Sequence, residues 1–229
     1  NNDIDIEDIL LKTAYEITDQ DKIALNLHHY DGRGEIPEGL TQAKYAKNPY
    51  QSNVSRSFFV GRRTDASLKY SHKDEKNDFE VLGYYVKTFR SSDLENVLNA
   101  TNSRLDTSPR DYKFWGIEPR YSRIYSFGDV NNEITVGYRY LEEDSKEFSG
   151  RTASFNTQNG VVGPFIPRTS SQGGTTAHAI YIDNRFEMGP WSITPGLRFE
   201  SIKSNNDFTA YINGVAVNMV NPKIKSDEF

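Results

Sequence analysis

Apolar and polar residues alternate with a period of two along much of this chain. In the stretch WSITPGLRFES, one set of alternate positions holds Trp191, Ile193, Pro195, Leu197 and Phe199. The other holds Ser192, Thr194, Gly196, Arg198 and Glu200. Successive side chains of a strand point to opposite faces, so the stretch predicts a strand with one apolar and one ion-pairing face. The same pattern recurs. Ile134, Val136, Tyr138 and Tyr140 alternate with Thr135, Gly137 and Arg139. Ile180, Ile182 and Phe186 oppose Tyr181, Asp183 and Arg185. Ala66, Leu68 and Tyr70 oppose Asp65, Ser67 and Lys69, while Ile23, Leu25 and Leu27 oppose Asn26 and His28. Strands are predicted at 6–18, 22–32, 57–72, 78–90, 112–126, 132–143, 176–187 and 191–203.

The connections alternate too. TDQD (18–21), KDEKN (73–77), GDVNN (128–132) and EMGP (187–190) read as tight polar hairpin turns. Residues 33–56, 91–111 and 144–175 are long, as is whatever follows 204, and they carry Pro, Gly and small polar runs such as TSSQGGTT. Short turns at one end and long loops at the other predict an all-β, antiparallel transmembrane β-barrel with periplasmic turns and extracellular loops. About eight strands make this a mid-barrel portion. Trp191 beside a short turn fits an aromatic girdle, and Pro195 with Gly196 predicts a β-bulge bending the wall. A soluble β-sandwich, such as a glycan-binding module, also alternates. The expected strand lengths and the mid-strand charges Arg139, Asp183, Arg185, Arg198 and Glu200, all on one side, favour a water-filled lumen over it.

Composition agrees. The mean hydropathy of −0.71 is low for a dry core, yet 14 Tyr and 13 Phe separate the chain from a disordered one. The net charge of −5 argues against a nucleic-acid partner. With no Cys there is neither a disulfide framework nor a thiolate metal site. No apolar run reaches the ~20 residues of a membrane helix, and the first residues show no signal peptide.

Several strings carry a family resemblance: DIEDILLKTAYEITDQDKI, HHYDGRGEIPEGLTQAKY, GRRTDASLKY, TFRSSDLE, SPRDYKFWGIEPRYSRIY, EITVGYRYLEE and TTAHAIYIDNRFEMGPWSITPGLRFESI. Together they resemble TonB-dependent outer-membrane receptors, and more narrowly the ferric citrate receptor branch. GIEPRYS and VGYRYL are specific to that branch, whereas GLRFE alone is a general receptor feature. The resemblance implies a 22-stranded barrel closed by an N-terminal plug, of which residues 1–229 are part of the wall, with the plug and the remaining strands outside the chain. It implies a receptor of the Gram-negative outer membrane that imports a ferric citrate-like chelate with energy from TonB, acting through the plug. A different ferric siderophore is the alternative cargo. Lipid and lipopolysaccharide are the surrounding partners.

A ferric citrate complex is anionic, so its receptor needs cations near the external loops. The resemblance places the substrate-binding arginines at Arg90 in TFRSSDLE, Arg110 in SPRDY and Arg168 in FIPRTSSQGG. Arg62 and Arg63 in GRRTD enlarge a positive funnel or pair within the lumen, and Gln172 and Gln51 are possible hydrogen-bond donors to citrate. His28 and His29, being adjacent, point to opposite faces, and neither His72 nor His178 has metal-ligand spacing. Glu142, Glu143 and Asp144 read as a solvated acidic rim, with calcium or lipopolysaccharide counter-ions as possible occupants. No nucleophile–base set or phosphate loop is visible, so no enzyme, catalytic residue, metal site or resident cofactor is expected, and the iron enters as the citrate-bound substrate.

Overall fold

A computed structural model of the chain describes residues 3–128, 130–220 and 224–228. Each of the eight predicted segments contains a strand. In chain order the elements are β1 (Ile4–Glu16), β2 (Asp21–Glu35), the short helix α1 (Gln42–Lys47), β3 (Phe58–Lys73), β4 (Asn77–Val97), β5 (Asn102–Thr107), β6 (Arg110–Phe127), β7 (Val130–Thr152) and β8 (Phe155–Asn156). They continue with β9 (Phe165–Met188), β10 (Trp191–Ile193), β11 (Gly196–Ile212), β12 (Val215–Val220) and β13 (Ile224–Glu228). All strands join one sheet, ordered β1-β2-β3-β4-β5-β7-β9-β11-β12, with β6 also between β4 and β7. Among the described residues every extensive contact between elements is between ladder partners, so no second sheet stacks on the first as a sandwich requires.

Register carries the sequence pattern from strand to strand, because residues directly opposite in an antiparallel pair share a face. Leu197 faces Ile182, Ile182 faces Val136, and Val136 faces Tyr121. Tyr121 then meets Phe79. Farther along, Tyr85 meets Ala66, Ala66 meets Leu27 and Leu27 meets Leu11. One face of the whole wall is therefore an apolar belt. Its side chains stay uncovered: Leu197 is 79% exposed and Trp191 71%. Leaving such a belt in water costs roughly 25 cal/mol per Å², so it calls for a lipid solvent.

The opposite face is wet and paired. Glu80 takes both Lys69 (3.1 Å) and Arg120 (2.9 Å), Arg139 reaches Glu118 (3.1 Å), and Arg185 reaches Glu133 (3.0 Å). Arg198 pairs with Glu200. Two tyrosines pack this face where glycine opposes them. The Tyr181 ring lies over Gly137, and the Tyr84 ring over Gly116, where a built Cβ would sit 2.5 Å from the tyrosine hydroxyl and 2.7 Å from the Tyr140 carbonyl oxygen.

Two expectations need correction. The first concerns 91–111 and 144–175, which are not irregular loops. β4, β7 and β9 run for 21, 23 and 24 residues, and TSSQGGTT lies inside β9. A tilted crossing uses roughly 9–11 residues, so these strands stand well beyond the belt as a tower. Side-chain hydrogen bonds hold the small-residue stretch in the ladder: the hydroxyl pairs Ser149–Thr169 (2.6 Å) and Thr175–Ser204 (2.9 Å), and the Ser171 hydroxyl donating to Asn206 Oδ1 (2.6 Å). Beyond 204, β11 continues and turns at Asn213 and Gly214, whose φ values of 52° and 79° suit a two-residue hairpin, into β12.

The second is the bulge at Pro195 and Gly196. Ile193 opposes Phe186 and Gly196 opposes Asp183, the same register on both sides of the break. Pro195 lacks the N–H for one rung, but its carbonyl accepts from Asn184 N (3.0 Å), so no residue is inserted. The register shift lies elsewhere, between Ser149 and Gly150. Of the predicted turns, three are tight as expected. In the fourth, Asp129 lies outside the described residues, and β6 and β7 close up to Phe127 opposite Val130.

Candidate functional site

Above the belt, β4 and β6 bring Arg90 and Arg110 directly opposite each other. Both stand in phase with Glu80, Glu118 and Arg120, on the charged face. Two guanidinium groups at adjacent cross-strand positions repel unless an anion lies between them. Among the described residues Arg110 has only a long ion-pair contact, with Glu147 on β7 (3.8 Å). That carboxylate also accepts a 2.6 Å hydrogen bond from the Tyr112 hydroxyl. Arg90 is exposed and makes no ion pair among the described residues. The pair therefore presents surplus positive charge, with forked donors that match a carboxylate geometrically.

The other expected residues separate. Arg168 is exposed in β9 beside the register shift and lines a groove of about 590 Å³ with Arg151, Tyr211 and the Asn213–Gly214 turn. It lies two strands across and three residues up from the Arg90–Arg110 pair, on the order of 14 Å away by sheet geometry. Arg62 and Arg63 cannot both be lumenal, since they are neighbours on β3. Arg63 is lumenal and binds Asp65 (2.6 Å). Arg62 is on the belt side, held by Asp31 (3.0 Å) and over the Phe89 ring (5.5 Å). Gln172 opposes Lys146 and Asp207 on that same outer side, away from the arginine pair. Gln51 donates to the Lys44 carbonyl (2.6 Å) at the end of α1.

His28 bridges Asp8 (2.8 Å) and Asp65 (3.1 Å) on the wet face, while His29 meets Thr64 (2.9 Å) on the other. The acidic run divides likewise: Glu143 falls on the wet face, while on the other Glu142 takes the Tyr140 hydroxyl (2.9 Å) and Asp144 takes Lys113 (2.9 Å).

Sequence reading missed a polar knot at the top of the tower. Glu95 on β4 is 2% exposed, and Ser103 on β5 is fully covered. The Glu95 carboxylate accepts from Ser55 N (2.9 Å), Arg56 N (3.1 Å) and Ser103 Oγ (2.8 Å), while Glu95 N donates to Ser57 Oγ (2.9 Å). The Arg56 guanidinium stacks on Phe155 (4.9 Å), itself 4% exposed in β8, and Val54 and Thr152 are buried nearby. A buried carboxylate is tolerated because three donors replace its water. The knot pins 36–57, the β4–β5 hairpin and the 153–164 segment to one another. Glu147 and Glu95 gave no signal because their segments were read as loops, which assign no facing.

A one-sheet antiparallel wall with a lipid belt, a charged lumen and extended strands at one end defines an outer-membrane barrel segment. The family described as TonB dependent receptor-like, beta-barrel matches residues 12–225, and the chain belongs to it. Its members are transporters of the Gram-negative outer membrane, not enzymes. Among solved structures, the chain is similar to the ferric citrate transporter FecA in its unliganded form, at 35% identity and a TM-score of 0.80, over 99% of this chain and 33% of that one. It shares the fold of the ferric-catecholate import receptor Fiu of E. coli K12 at 10% identity (TM-score 0.77, 99% of this chain, 43% of that one). The ferric yersiniabactin uptake receptor FyuA of Yersinia pestis matches at 15% identity (TM-score 0.67, 98% and 33%). The chain thus spans about a third of the length of FecA.

Proposed function

We propose that this chain forms part of the wall and mouth of an iron-chelate receptor whose cargo is a ferric citrate-like complex. The observation that carries this is the Arg90–Arg110 cross-strand pair, facing the lumen above the membrane belt with one distant carboxylate to share. A polycarboxylate chelate supplies the missing negative charge, and each guanidinium can take a carboxylate through two parallel hydrogen bonds. Arg168 and Arg151 stand farther out, where they would draw an anion toward the mouth before it reaches the pair. The 35% identity to a ferric citrate transporter supports the same cargo. Import driven by TonB acting on a plug belongs, in this proposal, to parts of the receptor outside this chain.

The test is calorimetric binding of ferric citrate and of a neutral ferric hydroxamate to the purified receptor carrying this chain. Arg90→Ala and Arg110→Ala should each weaken ferric citrate binding by about ten-fold or more, the loss of one charge-assisted contact of roughly 1.5–3 kcal/mol. The weakening should shrink as salt rises. Unchanged binding in both variants, or preference for the hydroxamate, would rule the proposed cargo out.

A further inference from the structure

At the level of the arginine pair the lumenal face carries one row across four strands. Arg90, Arg110, Glu147 and Ser171 stand directly opposite one another in that order. Directly opposed residues have Cβ atoms roughly 5 Å apart, close enough for an arginine and a glutamate to meet at about 2.8 Å. Yet Arg110 Nε and Glu147 Oε2 are 3.8 Å apart, with the side chains only 39% and 38% exposed. The bond Glu147 does make is with Tyr112, whose hydroxyl donates to its Oε1 at 2.6 Å.

The placement of the two donors explains the gap. Glu118 also accepts from a tyrosine, Tyr84 (2.8 Å), and still takes Arg139 at 3.1 Å. There the donors lie on opposite sides, Tyr84 on β4 and Arg139 on β7, so one carboxylate satisfies both. Arg110 and Tyr112 are both on β6, two residues and roughly 7 Å apart along the strand, so drawing Glu147 toward one draws it off the other. Its remaining neighbours do not compete for the carboxylate. The Ser171 hydroxyl donates to Asn206 Oδ1 (2.6 Å), and Ser149 is bonded to Thr169 (2.6 Å).

We propose that Glu147 is an internal competitor for the arginine pair and that Tyr112 holds it off, which sets how tightly the mouth keeps an anionic chelate. The inference rests on the ferric citrate-like reading of the cargo. Closed on Arg110, Glu147 would neutralise one of the two cations. Drawn to Tyr112, it leaves both guanidinium forks open, while its charge stays beside them and opposes that of the cargo. A transport site needs this balance, since it must capture its cargo and also hand it on. Both are positioning residues, because they act through Arg110.

Calorimetry of ferric citrate on the detergent-purified receptor carrying this chain tests the balance. Glu147→Gln keeps an acceptor for Tyr112 and removes the charge, so affinity should rise about ten-fold. Tyr112→Phe releases the carboxylate onto Arg110, so affinity should fall about five-fold. The double variant should bind as Glu147→Gln does, because Tyr112 acts only through that carboxylate. Damage to the mouth would instead weaken all three. Unchanged or weaker binding in Glu147→Gln overturns the proposal, as does unchanged binding in Tyr112→Phe. A double variant weaker than Glu147→Gln does so too, since it makes Tyr112 a contact of the cargo. A crystal structure of the unliganded Tyr112→Phe receptor gives a readout that no cargo enters. Glu147 should close to about 2.8 Å from Arg110, and a gap still near 3.8 Å overturns the proposal. If Arg90→Ala and Arg110→Ala leave ferric citrate binding intact, the cargo reading falls alone, and that distance still decides whether Tyr112 holds Glu147 off Arg110.

Discussion

Arg90 and Lys87 sit three positions apart on one strand, and that odd spacing sends them to opposite faces of the wall. Each meets a residue of its own charge on β6; the lumenal pair, with one distant carboxylate, calls for an anion, whereas Lys113 already holds Asp144 (2.9 Å). The sequence resemblance found Arg90 and Arg110 singly; only the register shows them as a pair. At the short-turn end a different residue concentrates hydrogen bonds. Asp21, just outside the belt, accepts from Thr18 (2.5 Å), the Tyr70 hydroxyl (2.6 Å) and His72 (2.8 Å). Those donors, Thr18 first, lower its carboxyl to about 2. A depressed acid stabilises the folded turn above its unfolded value of about 4 and stops doing so as pH falls toward 2. Carbon-13 titration of the Asp21 carboxyl should show that low midpoint. An ordinary value near 4 would mean that the three donors do not bind it in solution.

At the scale of elements, the Glu95 knot decides how the extracellular segments behave. Three backbone stretches converge on one buried carboxylate, so 36–57 is fastened to the β4–β5 hairpin and not free to swing. Glu95→Ala leaves Ser103 Oγ and two backbone N–H groups without a partner, at a cost of about 1–3 kcal/mol per unsatisfied group. Limited proteolysis should then cut within 36–57 in the variant while sparing the wild type, with the barrel still resisting heat in gel migration. Equal cleavage of the two would contradict the fastening.

The period-two strands were legible because lipid and water impose opposite polarity on alternate residues. Above the belt both faces are wet, the alternation fades, and the Ser, Gly and Thr of 169–176 look like a loop although ladder partners on both sides hold them extended. Pro195 misled in the other direction. A missing donor suggests a bulge, yet a carbonyl contact to Asn184 keeps the register. The facing of Arg62 also follows from its strand, since Leu68 and Ala66 fix the outer parity of β3, a step the sequence permitted.

For the whole molecule, the account depends on one wall separating two solvents. The apolar belt stays uncovered within the chain, and the described buried residues gather mostly in the knot above it, not in a core beneath the sheet. Such a sheet is stable only with lipid on one side. The chain has no cysteine, so single cysteines placed along β7 are labelled with no background from these 229 residues. The most direct measurement is a nitroxide scan of 134–139 in the membrane-embedded receptor, comparing collision with oxygen, which concentrates in lipid, and with a water-soluble nickel chelate. Positions 134, 136 and 138 should favour oxygen, and 135, 137 and 139 the aqueous reagent or neither. A scan with the opposite phase, or with no period of two, would contradict the lipid-facing wall.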